Sequence, residues 1–185
     1  MKKWVFIGVA CVCFVFLAGA GGAAEMKYRI GPGDVLEISV WKDESLSREV
    51  LVPPDGVISF PLIGDIDVRD LTVAGLRAEV QRKLADYVPD ATVTVMLLKI
   101  NSLTAYVIGK VNKPGVFPID LETNVMQILA MAGGLNPYAS AGKILILRQE
   151  GGNTRKIPFN YKDVEKGKAL DQNIVLKRGD VVVVP

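Results

Sequence analysis

The chain has 185 residues, half of them hydrophobic, which is enough for one good apolar core or two small ones. Its 22 basic and 20 acidic residues nearly balance, which argues against a nucleic-acid binder, because phosphate neutralisation needs a clustered basic surface. The chain contains no histidine, and this excludes the Ser-His-Asp triad and the common zinc sites, so that any catalysis would rest on carboxylates.

Residues 1–24 have the three-part pattern of a secretory signal peptide: two lysines, the apolar run WVFIGVACVCFVFL, and the small residues AGAGGAA. The apolar run is shorter than the roughly 20 residues that cross a bilayer, so we expect cleavage after Ala24 rather than a retained anchor. Both cysteines, Cys11 and Cys13, lie inside this segment, and the remaining chain would have 20 basic and 20 acidic residues and no thiol. Lipid attachment at a cysteine is the alternative, but neither cysteine follows a leucine by three positions.

The first part of the mature chain is predicted to contain strands at 34–41 and 48–52. Asp55-Gly56 separates the second of these from the apolar run VISFPLIG and predicts a tight hairpin turn, because both turn positions tolerate positive φ.

A helix is predicted over 73–87, with Thr72 as its cap. Its apolar stripe is formed by Val73, Leu76, Val80 and Leu84. The run ATVTVMLLKI at 91–100 then predicts the clearest strand of the sequence.

The second part predicts strands flanking one central helix, a compact α+β module of about 80 residues. Strands are expected at 103–109, 116–119, 143–148, 157–159 and in the closing segment KRGDVVVVP. The helix runs from a Thr123 cap through residue 132, where Gly133-Gly134 end it. The segments 149–156 and 161–168 are interpreted as a polar turn and a short charged stretch.

No segment presents a convincing chemical site. The aspartates of GDIDVRD lack the glycine and the terminal glutamate of a calcium loop, so a solvated turn is favoured. A carboxylate pair for glycoside cleavage, such as Asp34 with Glu37 or Asp55 with Asp65, is defined only by spatial separation and stays open. The glycine pair of AMAGGLNPY lacks phosphate-loop spacing and reads as a helix stop.

Several ordered motifs resemble a known family. YRIGPGDVLEISVW, followed by VPPDGVISFPLIGDIDVRDLTVAGL, resembles the polysaccharide export domain of bacterial outer-membrane polysaccharide export proteins. VIGKVNKPGVFPI, NVMQILAMAGGLNPYA and KRGDVVVVP resemble the soluble-ligand-binding β-grasp (SLBB) module that follows it in that family. The resemblance implies an α+β fold with an export domain at 25–100 and a β-grasp domain at 101–185, after the signal peptide at 1–24.

The resemblance implies a non-enzymatic, cofactor-free protein that forms an oligomeric ring and helps capsular, exopolysaccharide or O-antigen-type polymer leave a Gram-negative cell. The longest relatives end in an amphipathic helix that forms an outer-membrane pore, and the sequence after residue 24 offers no such helix. We therefore expect a periplasmic, outer-membrane-associated short form without a membrane span. Its expected partners are the polysaccharide, an inner-membrane polysaccharide co-polymerase and a separate outer-membrane barrel. A monomeric periplasmic glycan-binding or scaffolding protein is the alternative.

The motif residues are interpreted as structural. Gly31 and Gly33 would permit the corner into the first strand, Asp34 would hold that turn through backbone amides, and Gly179-Asp180 would repeat the corner at the last strand. The full set of motif residues is Gly31, Pro32, Gly33, Asp34, Asp55, Gly56, Gly64, Pro114, Gly115, Gly133, Gly134, Gly179 and Asp180. Asp34 as a sugar ligand is the competing interpretation.

Aromatic side chains are the other candidates for sugar binding, since they can stack on sugar rings. Six of them lie in or beside apolar runs and are expected mostly in the core: Trp41, Phe60, Tyr106, Phe117, Tyr138 and Tyr161.

Overall fold

The computed structural model describes residues 27–185. The predicted signal peptide and both cysteines lie outside these residues. Within the described chain the α+β prediction is confirmed, with two domains that each bury an apolar core of their own. None of the helices in this part of the chain combines the length and the apolar character needed to cross a bilayer.

The first domain consists of five strands and one helix. In chain order they are β1 (Val35–Val40), β2 (Asp43–Leu51), β3 (Val57–Phe60), β4 (Gly64–Asp67), α1 (Val73–Leu84) and β5 (Val93–Lys99). β1 lies between β2 and β5 in a three-stranded antiparallel sheet, and β3 and β4 form a second, two-stranded sheet. Leu36, Ile38 and Val40 are buried, because alternate side chains of a strand point to the same face.

The predicted hairpin across Asp55-Gly56 is wrong. β2 pairs with β1 and β3 pairs with β4, so this turn connects strands of two different sheets. Gly56 has a φ of 73° and its amide donates to the Pro53 carbonyl at 3.0 Å. The Asp-Gly pair therefore makes the expected tight turn, but a local turn signal does not specify which strand the following residues pair with. The hairpin of β1 and β2 turns instead at Trp41 and Lys42.

The interpretation of GDIDVRD as a solvated turn is wrong for its first four residues, which form β4, and right for Arg69 and Asp70, which lie exposed in the turn that follows. Asp65 accepts a hydrogen bond from the Ser59 hydroxyl at 2.5 Å, and Asp67 forms an ion pair with Arg69. The β3–β4 ribbon exposes one face to water, so its outward aspartates give the sequence the polarity of a loop.

The first helix, α1, begins where it was predicted. The hydroxyl of Thr72 accepts a hydrogen bond from the Gly75 amide at 3.1 Å, which satisfies one of the unpaired donors of the first turn. The buried residues of the helix are Leu76, Val80 and Leu84. Burial of each of these side chains contributes about 1.5–3 kcal/mol to the stability of the fold. α1 ends at Leu84 rather than at residue 87, because the Tyr87 amide already bonds back to the Leu84 carbonyl in a tighter turn.

The second domain has a five-stranded sheet and two helices. In chain order its elements are β6 (Thr104–Gly109), β7 (Gly115–Pro118), α2 (Val125–Met131), β8 (Ile144–Glu150), β9 (Asn153–Phe159), α3 (Tyr161–Glu165) and β10 (Val181–Val184). The strand order is β7-β6-β10-β8-β9, and the central pair, β6 and β10, is parallel. α2 packs its apolar residues into the core on one face of this sheet. This arrangement confirms the β-grasp prediction.

The cap of α2 is Asn124, not Thr123. The Asn124 side chain accepts from the Gln127 amide at 3.0 Å, and the Gln127 side chain accepts from the Asn124 amide at 2.8 Å. This reciprocal pair is a capping box. The hydroxyl of Thr123 is instead paired with Asp120, one turn earlier in the connection.

Two elements of the second domain are longer or more regular than the sequence indicates. β9 spans 153–159 instead of 157–159, and the charged stretch contains the five-residue helix α3. β9 is an edge strand and its first four residues are exposed on both faces, so the alternation that identifies a half-buried strand is absent there.

Candidate functional site

The two Gly-Asp segments of the sequence form corners of the same geometry. We call residues 31–34 the opening corner and residues 177–180 the closing corner. Gly33 has a φ of 89° and Gly179 a φ of 79°, a region that favours glycine. In each corner the aspartate amide donates to the carbonyl three residues earlier, at 3.2 Å and 3.1 Å. In each, the aspartate carboxylate accepts from that same earlier residue's amide at 2.8 Å.

Asp34 joins the two domains as well as holding its own corner. Its carboxylate is completely buried and accepts from the amides of Asn101 and Ser102 at 3.1 and 2.9 Å, at the start of the second domain. The Ser102 hydroxyl donates to the same carboxylate at 3.1 Å, and the Tyr28 hydroxyl donates to it as well. The Asn101 side chain donates to the Gly33 carbonyl at 2.8 Å.

The electrostatics of this cluster keep Asp34 ionised. Burial alone raises the pKa of Asp34, but the hydrogen bonds from Tyr28, Gly31 and Ser102 outweigh it, and the pKa of the carboxyl is lowered from its usual 3.8. Burial, together with the hydrogen bond to Asp34, raises the pKa of Tyr28 to about 12. The cluster therefore holds a neutral phenol against a carboxylate across the whole physiological range.

Asp180, the aspartate of the closing corner, has a different partner. Arg148 on β8 donates to its carboxylate from Nε at 3.0 Å and from Nη2 at 2.7 Å. Both side chains are buried, and the same guanidinium donates to the Val175 carbonyl at 3.0 Å. Pairing with Asp180 raises the pKa of Arg148. This bidentate pair ties β8 to the entry of β10.

The two corners meet through Arg178. Its guanidinium donates to the Arg29 carbonyl at 2.7 Å and lies against Gly31, where an added β-carbon would be 1.9 Å from Nη1. The absence of a side chain at Gly31 therefore makes room for an arginine of the other domain. The similarity of the two sequence segments corresponds to a contact between them at the domain junction.

A cleft of about 740 Å³ opens beside this junction. Residues of both domains line it, including the basic side chains of Lys27, Arg29, Lys177 and Arg178 and the acidic side chains of Asp70 and Asp120. Its mixed charge suits a polar ligand with hydroxyl and acidic groups, since both donors and acceptors face the space.

The remaining predicted motif residues make none of these contacts. Within the described chain Asp55, Gly56, Gly64, Pro114, Gly115, Gly133 and Gly134 lie in or beside turns of the separate domains. Pro32 lies exposed in the turn of the opening corner. Gly133 and Gly134 have φ of 76° and 80° and follow α2 directly.

The expectation that the aromatic residues are mostly core is wrong for half of the six. Trp41, Tyr106 and Tyr138 are exposed. Phe60 is buried, and Phe117 and Tyr161 pack against the core of the second domain. Trp41 and Tyr138 lie in turns, and Tyr106 lies on the face of the sheet that no helix covers. At such positions apolar neighbours in the sequence do not imply that the side chain is buried.

Sequence reasoning missed the partners that complete the junction: Tyr28, Asn101, Ser102, Arg148 and Arg178. The sequence indicates these partners only indirectly. A buried aspartate needs donors, and the polar pair Asn101-Ser102 between two apolar strands supplies them. No local pattern assigns Arg148 to Asp180, because Arg148 lies on β8 and Asp180 in the closing corner, 32 positions apart in the chain.

Two family profiles match the chain. The profile described as polysaccharide biosynthesis/export protein matches residues 22–98, and the SLBB domain profile matches residues 103–184. Together they cover both domains, and the connection between them contains Asn101 and Ser102.

Curated relatives agree with the profiles. The EPS I polysaccharide export outer membrane protein EpsA of Ralstonia nicotianae is 31% identical over 186 residues, which covers 86% of this chain and 48% of that protein. The polysialic acid transport protein KpsD of Escherichia coli is 25% identical over 147 residues, covering 79% of this chain and 26% of that protein. The exopolysaccharide production protein ExoF of Rhizobium meliloti is 25% identical over 145 residues, covering 70% of this chain and 34% of that protein.

The chain thus spans about half, or less, of the length of these relatives. The two profiles in this order, on two domains joined by the Gly-Asp corners, place the chain in the outer-membrane polysaccharide export family.

Proposed function

We propose that this chain is a component of a polysaccharide export system, and that its copies form a ring which passes capsular, exopolysaccharide or O-antigen-type polymer to an outer-membrane pore. The observation that carries the proposal is the ordered match of an export domain and an SLBB domain. The names of the relatives, which are export and transport proteins, support it.

The domain junction supports the ring. In a closed ring, the angle between the two contact surfaces of a subunit sets the position of the next subunit. If both domains contribute to these surfaces, their relative orientation must be fixed. The buried carboxylate of Asp34 and the guanidinium of Arg178 both bridge the domains. Leaving the buried carboxylate of Asp34 without its donors is costly, which favours a single orientation.

The proposed role needs no reaction. Asp34 and Asp180, the two buried carboxylates of the junction, are each occupied by several donors within the described chain, and neither is exposed to a substrate. The chain would act through shape, exported to the periplasm and associated with the outer membrane. It would meet an inner-membrane co-polymerase on one side and a separate outer-membrane barrel on the other.

Deletion of the gene tests this proposal. Surface polysaccharide should be lost while polymer accumulates in the periplasm, and the wild-type gene on a plasmid should restore export. A complementing copy with Asp34→Asn should restore export poorly, whereas Asp55→Asn, which alters an exposed turn aspartate, should restore it fully. Normal surface polysaccharide in the deletion strain would refute the proposal.

A monomeric glycan-binding or scaffolding protein is the second candidate, and the interdomain cleft is the observation that favours it. A cleft of about 740 Å³ is within the usual range for small-ligand sites. Native mass spectrometry of the protein with oligosaccharides of the cognate polymer separates the two functions. A persistent monomer that binds one oligosaccharide supports this candidate, and a closed oligomer supports the ring.

A further inference from the structure

The five-stranded sheet of the second domain leaves one face open. α2 packs on the other face, whereas the side chains of the open face form two cross-strand rows. The first row is Val116, Tyr106, Val181, Leu147 and Lys156, and the second is Ile108, Val183, Leu145 and Pro158. Val116 is 56% exposed, Ile108 is 47% exposed and Tyr106 is 40% exposed. We call these residues the second-domain face.

The three-stranded sheet of the first domain also leaves one face open. Its inner side packs on α1 and the β3–β4 ribbon. Its outer side presents Val35, with Leu51 and Lys99 as its cross-strand partners, and Met96 in the neighbouring row; Leu51 is 63% exposed. We call these residues, with Glu37 and Glu49, the first-domain face. Apolar patches of this kind on both domains are typical of interaction surfaces.

Glu37 and Glu49 lie directly opposite each other on the first-domain face. Like charges in this cross-strand position are destabilising, and neither carboxylate has an ion-pair partner among residues 27–185. A positively charged partner surface would relieve the repulsion.

The two domains carry opposite charge. Residues 27–100 contain nine Lys and Arg against twelve Asp and Glu, a net charge of −3. Residues 101–185 contain eleven Lys and Arg against seven Asp and Glu, a net charge of +4. The second-domain face itself carries Lys156, cross-strand from Leu147.

The geometry points to a head-to-tail contact between copies of this chain, in which the first-domain face of one copy lies against the second-domain face of the next. The occupant is a second copy because one chain carries both surfaces and their charges are opposite: Glu37 and Glu49 outnumber Lys99 on the first-domain face, and the second-domain face carries Lys156. A contact between two identical first-domain faces would bring the Glu37 and Glu49 pairs of both copies together, which costs free energy. A contact between two different faces is heterologous and closes into a ring when the rotation permits. This inference rests on the proposed ring and names its interface.

Cysteine cross-linking in the producing cell tests the contact. The variants are Met96→Cys in the first-domain face and Ile108→Cys in the second-domain face, made in the full chain. Co-expression of the two variants should give a cross-linked dimer, and each variant alone should give none. The unmodified chain, whose own cysteines are Cys11 and Cys13, is the blank. Arg77→Cys on the exposed side of α1, co-expressed with Ile108→Cys, is the matched negative control.

A charge reversal gives an independent test. Glu37→Lys should weaken self-association of the purified protein roughly tenfold or more, because it sets like charges against the basic face. Asp86→Lys makes the same charge change beside α1, on the opposite side of the sheet, and should leave association unchanged. Circular dichroism melting of both variants checks that each is folded. Equal association of the wild type and a folded Glu37→Lys variant would overturn the proposed contact.

The outcomes separate this inference from the proposed function. Oligomers that form without the mixed cross-link, or dimers from either single variant, overturn the head-to-tail contact and leave the ring intact. A chain that stays monomeric at every concentration overturns both the contact and the ring. Loss of surface polysaccharide on gene deletion tests only the export role and does not bear on the contact between copies.

Discussion

The guanidinium of Arg178 occupies the space that a side chain at Gly31 would fill, with Nη1 1.9 Å from the position of an added β-carbon. From there Arg178 donates to the Arg29 carbonyl at 2.7 Å. A glycine at the opening corner and an arginine at the closing corner are therefore parts of one contact between the domains.

Gly31→Ala should displace Arg178 and break its hydrogen bond to Arg29. Since the displaced group is the end of a flexible side chain, the expected loss in the free energy of unfolding is moderate, about 1 kcal/mol. Urea denaturation followed by circular dichroism measures it. Gly115→Ala is the matched control, because nothing lies within 4 Å of a β-carbon at Gly115. Equal stability of the two variants would show that Arg178 finds an equivalent position.

Asp34→Asn should destabilise the protein far more than a change at an exposed aspartate. An asparagine keeps the shape but loses the charge and turns an amide donor toward the backbone amides of Gly31, Asn101 and Ser102, so the expected cost is about 2–4 kcal/mol. Asp55→Asn serves as the control, since Asp55 is exposed and accepts one hydrogen bond, from the Val57 amide at 3.1 Å. Its cost should stay within about 0.5 kcal/mol. A similar small cost at Asp34 would mean that its charge does not hold the junction.

The same cluster predicts the response to acid. Because the folded chain lowers the pKa of Asp34 below its usual 3.8, ionised Asp34 contributes stability that is fully present above that value and is lost as the pH falls through the folded pKa. Urea midpoints measured from pH 7 down to pH 2 should therefore show the difference between the wild type and Asp34→Asn shrinking below about pH 4. A difference that stays constant over this range would exclude Asp34 as its source.

The sequence predicts more of the local structure than of the contacts between segments. The corner at Gly33-Asp34, the cap at Thr72 and the end of α2 at Gly133-Gly134 follow from conformational preferences of single residues, and the structure contains each of them. The pairing of β3 with β4 instead of β2 does not follow, because a turn signal carries no information about the partner strand.

The junction shows the same limit. Asp34 could be identified as a turn residue from its neighbours, but its link to Ser102 spans 68 positions. Recognising it requires the knowledge that strand β5 returns antiparallel to β1 and so delivers the chain to the start of β1. A buried carboxylate implies donors, yet the sequence does not say which ones.

The pair of Arg148 and Asp180 gives the sharpest contrast between a buried and an exposed charge. Arg148→Met removes the bidentate partner and leaves the Asp180 carboxylate buried without its counter-ion, which should cost about 3–5 kcal/mol. Arg155 is the cross-strand partner of Arg148 in the β8–β9 register, but its side chain is 65% exposed and its ion pair with Glu150 is long, 3.7 Å. Arg155→Met, the same chemical change one strand away, should therefore cost no more than about 1 kcal/mol. Urea denaturation of the two variants measures these losses in the free energy of unfolding. Comparable losses would mean that burial does not make the Arg148–Asp180 pair more stabilising than the exposed pair.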